Sequence, residues 1–160
     1  MMQPRTEADL PDDLKTLLAL WRMRAGTLRF PPREAFDGRT LLPWAGRLHL
    51  IEMLEDGDFF FHRFSPISAA RLGLDMTGQR LSATVLDDRA TVTTSGYRRC
   101  LTLARPMCDQ IPAKFDDGRH HTPYDRLLLP LGHDVRPNFL LVGLWFHPAE
   151  IPADNHSARI

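Results

Sequence analysis

The chain has 160 residues, 43% hydrophobic and 25% charged, the size and composition of one globular domain with a core of its own. Lys and Arg total 20 and Asp and Glu total 20, so the chain lacks the basic excess that favours a nucleic-acid partner. The two cysteines, Cys100 and Cys108, form neither a disulfide framework nor a C-x-x-C unit and fit reduced thiols in a cytoplasmic protein.

The opening MMQPRTEADLPDD is polar and acidic, without the apolar run of a signal peptide. From Leu10 the apolar residues Leu14, Leu17, Leu18, Trp21 and Leu28 keep helical spacing. Asp9 can cap the start, Pro11 suits the first turn, Asp12 and Asp13 suit the positive dipole end, and Gly26 is a stop. This is an amphipathic helix whose stripe needs a partner surface. After the prolines of RFPPREAFDGRTLLPW come two strands, Leu48–Met53 and 58–64, and the LEDGD between them signals a hairpin. Ser65-Pro66 ends the second strand, since proline cannot donate to a ladder.

A short helix over 67–72 leads into RLGLDMTGQRLS, residues 71–82. Gly73 permits a left-handed exit, Asp75 or Thr77 can satisfy nearby backbone donors, and Gly78 lets the chain turn again. Leu72, Leu74 and Leu81 are expected to anchor this segment in the core. Asp87 or Asp88 caps a longer helix to about Ala104, although Thr91, Val92, Thr93, Thr94 and Gly96 weaken its propensity. The last third reads as strands over 107–115, Tyr124–Leu131 and 138–146, with turns at 116–118 and 132–134. The final strand is the most apolar and suits a central position buried on both faces. Pro130, His133, Asp134, Arg136 and Pro137 interrupt the apolar region, so no membrane span is expected. Two hairpins with helices between them make an α+β domain built on one antiparallel sheet.

No catalytic motif stands out. H-E-x-x-H, G-x-S-x-G, a Walker A loop and a dinucleotide fingerprint are all missing from the sequence. His120 and His121 are adjacent, so on a strand they point to opposite faces. His49 and His62 sit on the first two strands and could face a pocket together, as haem or metal ligands or as histidines satisfied by backbone groups. Asp125-Arg126 reads as a surface pair, Arg98-Arg99 and Arg22/Arg24 as solvated helix faces, and Cys100 as a buried thiol. Alternation places Phe59 and Phe61 on one sheet face and Phe60, His62 and Phe64 on the other. Both faces therefore need cover: the helices between strands two and three for one, the N-terminal helix or a second subunit for the other.

The segments LALWRMRAG, RFPPREAFD, LLPW, FFFHRFSPISAARLGLDMTGQRL and YDRLLLPLGHDVRPNFLLVGLWF together resemble a PAS domain, and more closely the small stand-alone PAS family of alphaproteobacteria. The resemblance covers roughly residues 14 to 147. One departure is Arg63-Phe-Ser-Pro, where the family's usual turn carries Gly-Thr.

The resemblance implies a five-stranded antiparallel sheet flanked by helices with a cavity between them. It divides the chain into a tail and amphipathic helix (1–30), a PAS-like domain (31–150) and a flexible tail (151–160). The implied function is a sensory or regulatory module that binds a small molecule, a protein partner or both, and signals in trans as a homodimer. His62, Arg63, Tyr97, Cys100, Leu129 and Trp145 are the expected pocket residues, and Leu14, Leu17, Leu18 and Trp21 the expected output or dimer surface. No cofactor or metal is required by the sequence, and neither an enzyme nor a nucleic-acid or membrane partner is expected. A haem-binding sensor, or an enzyme on a cone-shaped α+β fold, are the alternatives.

Overall fold

A computed structural model describes residues 3–83, 88–111, 114–116, 119–121, 123–133 and 135–147. For residues 3, 88–93, 114–116 and 119–121 the description covers backbone alone. The expected tail at 151–160 lies outside the described residues.

The hairpin forms as the sequence requires, with β2 at Leu48–Met53 and β3 at Phe59–Arg63, after a short strand β1 at Gln3–Pro4. The expected strand over 107–115 divides into β4 (Met107–Ile111) and β5 (Lys114–Asp116), and β5 pairs with β6 (Arg119–His121) in a separate ribbon. With β7 (Tyr124–Leu131) and β8 (Phe139–Phe146), the antiparallel main sheet runs β1-β4-β7-β8-β2-β3. Five longer strands thus make an open sheet with β1 added at one edge. The apolar β7 and β8 occupy its middle, where both faces are covered.

Three helices accompany the sheet: α1 (Asp12–Ala25), α2 (Pro66–Leu72) and α3 (Asp88–Leu103). Leu14, Leu17, Leu18 and Trp21 of α1 are buried in one layer with Leu48, Leu127, Leu129, Leu131 and Leu141 of the sheet. This close approach depends on Gly143 of β8, where an added Cβ would lie 2.6 Å from Leu17 Cδ2 and 3.0 Å from Leu14 Cδ2. The indole of Trp21 donates to the Pro130 carbonyl at 3.0 Å, and that of Trp44 to the Asp13 carbonyl at 2.7 Å. The chain's own helix therefore covers this face. The boundary expected at residue 30 cuts through a single layer of packing.

The other face holds Ile51, Phe59, Phe61, Phe64, Leu128, Leu140, Val142 and Leu144 under Tyr97, Cys100 and Leu101 of α3. Phe64 departs from the alternation expected of it. A register shift in the β2–β3 pairing beside Leu50 and Ile51 puts it on the α3 side, stacked on His49 with ring centroids 4.5 Å apart.

Around α2, the Ser65 hydroxyl accepts from the Ser68 N–H at 3.1 Å, and Gly73 closes the helix in the left-handed region at φ 69°. Asp75 then receives both the N–H and the hydroxyl of Thr77, at 2.9 and 2.7 Å. The Gly78 N–H bonds the Phe61 carbonyl at 2.7 Å, and Phe61 returns the bond to Gln79 at 3.0 Å. The segment is a joint that ends lying along the free edge of β3. Its anchor is Met76, 3% exposed, while Leu72 and Leu74 are exposed and Leu81 half-buried.

Candidate functional site

The residues expected to line one pocket divide between the two sides of the sheet. Tyr97 and Cys100 are buried beneath α3, whereas Leu129 is buried on the α1 side and Trp145 is half-buried against that same layer. His62 is half-buried, 2.7 Å from Glu52 Oε2 and 5.7 Å from the Phe139 ring, and Arg63 is exposed. His49, by contrast, lies on the α3 side against Phe61 and Phe64. The two histidines expected to face a pocket together thus face opposite ways. An interface made by Leu14, Leu17, Leu18 and Trp21 would require α1 to leave its own sheet.

Polar groups converge instead beneath α3. Arg126 of β7 is 1% exposed and Asp109 of β4 is 7% exposed. They are paired across the strands, and Arg126 donates to the two carboxylate oxygens from Nε at 2.6 Å and from Nη2 at 3.0 Å. This corrects the expected surface pair Asp125-Arg126. Successive strand residues point to opposite faces, so Arg126 takes a carboxylate from β4. Asp125, also buried, bonds His147 Nε2 at 2.7 Å.

The guanidinium carbon of Arg126 lies 5.4 Å from the centroid of the Tyr97 ring. A Cβ on Gly96 would fall 2.4 Å from Arg126 Nη2. The glycine that weakens the helix is therefore the clearance that lets α3 close over the guanidinium.

Burial sets the protonation states in this layer. Loss of solvation, with the Arg126 charge second, lowers the pKa of His49 to about 3, so the imidazole is neutral. Its Nδ1 accepts the Ser65 N–H at 2.9 Å, leaving the proton on Nε2. Burial raises the Tyr97 phenol above its ordinary range, against the pull of Arg126. It raises Cys100 to about 12, and that thiol donates to the Arg105 carbonyl at 3.2 Å. Cys100 is thus a neutral thiol in the packed layer, not an activated nucleophile.

Arg126, Asp109 and Gly96 were missed in the sequence. Two signals pointed to them: an arginine directly before the apolar run LLLPL of a central strand, and a glycine inside a helix. On the other face, a shallow crevice of about 290 Å³ is lined by Leu28, Arg29, Phe30, Pro32, Gly132, His133 and Val135, none of them an expected pocket residue. Among the described residues no group of three or more His, Cys, Asp or Glu is placed to hold a metal ion, and no helix is long and apolar enough to cross a membrane. No protein-family model, curated protein or solved structure matches the chain.

Proposed function

We propose that the chain is a PAS-type sensory or regulatory module that signals in trans, with the layer between α3 and the sheet as its responsive element. The observation that carries this reading is the buried Arg126–Asp109 pair under Gly96. Apolar side chains of similar volume usually serve stability as well as a buried ion pair does. Such a pair is better suited to setting one register between two elements, here α3 and the sheet.

A small molecule bearing a carboxylate or amide would compete for Arg126, and Tyr97 would orient it in otherwise apolar surroundings. Its stronger binding to a displaced α3 would shift the population toward that arrangement, and a protein partner recognising α3 would act in the same way. A homodimer in the cytoplasm belongs to this same reading.

Native mass spectrometry of the purified chain, run beside a metabolite screen by thermal shift, tests it. The expected result is a retained or stabilising small molecule whose effect disappears in Arg126→Met. A bare mass, no stabilising compound and no change in α3 hydrogen exchange on adding any of them would remove the small-molecule reading. A haem or flavin absorption band in the visible spectrum would favour the cofactor-sensor alternative.

A further inference from the structure

Both edges of the main sheet are covered, by different devices. The β3 edge is closed by residues 78–80, through the Phe61 bonds to Gly78 and Gln79 and a bridge from Phe60 to Arg80. Among the described residues, the β4 edge is closed by residues 3–5. Gln3 lies opposite Gln110 and Pro4 opposite Asp109, and the Arg5 N–H donates to the Cys108 carbonyl at 3.2 Å. In an antiparallel ladder this bond makes Arg5–Cys108 a hydrogen-bonded pair and Pro4–Asp109 a non-hydrogen-bonded one.

The N–H and C=O of a residue at Pro4's position point away from β4, toward the place where another strand would add. Proline has no N–H to offer there. The short strand therefore covers β4 and presents a poor template of its own, the arrangement that guards an edge against further pairing.

Side chains fasten this strap. The Arg5 guanidinium donates to the Gln110 amide oxygen and its Nε is 4.0 Å from Asp125. The Cys108 thiol donates to the Arg5 carbonyl at 3.0 Å. Behind it, Arg22 of α1 makes a two-pronged contact with Glu7 at 2.6 and 2.7 Å, both side chains being more than half exposed. The Arg22–Glu7 pair is solvent-exposed, where ion pairs are weak and screened by salt, while the Arg5 and Cys108 contacts are part-buried. The strap is thus held by three part-buried contacts and a two-residue strand.

We propose that residues 3–5 form a releasable strap over β4, and that β4 so uncovered pairs with β4 of a second copy of this chain. The strand is suited to a two-fold antiparallel pairing centred on Asp109. Cys108 and Gln110 are the residues whose backbone groups face the strap. In that register each stands opposite the other's counterpart, so outward-facing groups meet outward-facing groups. Met107 then faces Ile111 of the second copy, an apolar pair. The central Asp109 carboxylates do not meet as bare like charges, because each is held by its own Arg126. The contact is isologous and closes as a dimer.

The test compares the chain with a variant lacking residues 1–5 by light scattering over a concentration series, with hydrogen exchange read at Cys108 and Gln110. The expected result is a doubling of mass in the truncated chain at concentrations where the intact chain does not double, with dimerisation strengthened at least about tenfold. Exchange at the two amides should be fast in the dilute truncated chain and slow again on concentration.

Arg5→Ala with Glu7→Ala in the intact chain should move the same readouts in the same direction, and this holds if the truncation fails to fold. Gln110→Pro in the truncated chain removes an outward donor and should abolish the added step. An unchanged mass at every concentration, or a dimer that survives Gln110→Pro with the Cys108 amide still exchanging fast, overturns the proposal.

Discussion

Replacing Asp109 with alanine removes from buried Arg126 the carboxylate it holds in the layer under α3. The pair is bidentate at 2.6 and 3.0 Å, and the arginine side chain is 1% exposed. Water therefore cannot take the place of the lost carboxylate. Breaking a buried pair of this kind costs about 3–5 kcal/mol, a large share of the 5–15 kcal/mol that holds a typical domain together. For a chain of this length the loss corresponds to a melting temperature lower by roughly 6–20 °C. Converting the pair to Asp109→Leu with Arg126→Met removes both charges and keeps the volume filled. The double variant should return to within about 1 kcal/mol of the parent or exceed it. Urea titration of the parent, both single variants and the double variant closes the cycle. A loss below about 1 kcal/mol for Asp109→Ala, or a double variant worse than either single one, would refute the view that the Arg126–Asp109 contact acts as a buried ion pair.

Other consequences are independent of that pair. Gly143→Ala places a methyl group 2.6 Å from Leu17 Cδ2, so α1 must rise from the sheet; a loss of about 1–3 kcal/mol is expected, with faster hydrogen exchange along α1. For His49, the folded pKa of about 3 lies below the ordinary 6.5, so the unfolded chain takes up the proton first. Stability should fall as pH drops from about 6.5 toward 3, by about 2 kcal/mol at pH 5 relative to pH 8. His49→Asn keeps an acceptor for Ser65 and should remove that part of the slope, whereas an unchanged slope would place its origin elsewhere. Cys100, buried with its pKa raised to about 12, should resist thiol reagents at pH 8 until the chain unfolds; rapid labelling of Cys100 in native protein would contradict its place in the layer under α3.

Much of the architecture could be read from local pattern. The stripe from Leu14 to Trp21, the hairpin around LEDGD, the left-handed Gly73 and the apolar run of β8 each depend on residues within a few positions of one another. Propensity, capping and turn chemistry act over that range. The α+β class and the extent of the hairpin, of α2 and of α3 follow from these signals, and they appear in the structure within a residue or two.

Tertiary structure decided what local pattern leaves open. One register shift beside Leu50 and Ile51 carried Phe64 to the other face, and alternation counted along the strand cannot see it. Arg126 and Asp109 are 17 residues apart and meet only because β4 pairs with β7. No spacing rule in the sequence marks that partner. The expected pocket set divided because a residue's face depends on strand pairing, and Leu129 and Tyr97 ended on opposite sides of one sheet. The sequence by itself determined the longer helices and strands, since that information is local, but not β1, β6 or the break between β4 and β5. Which charges are buried together, which face α1 covers and how each edge is closed were decided by contacts between distant segments, where the cost of burying a charge or leaving a backbone donor unpaired is settled.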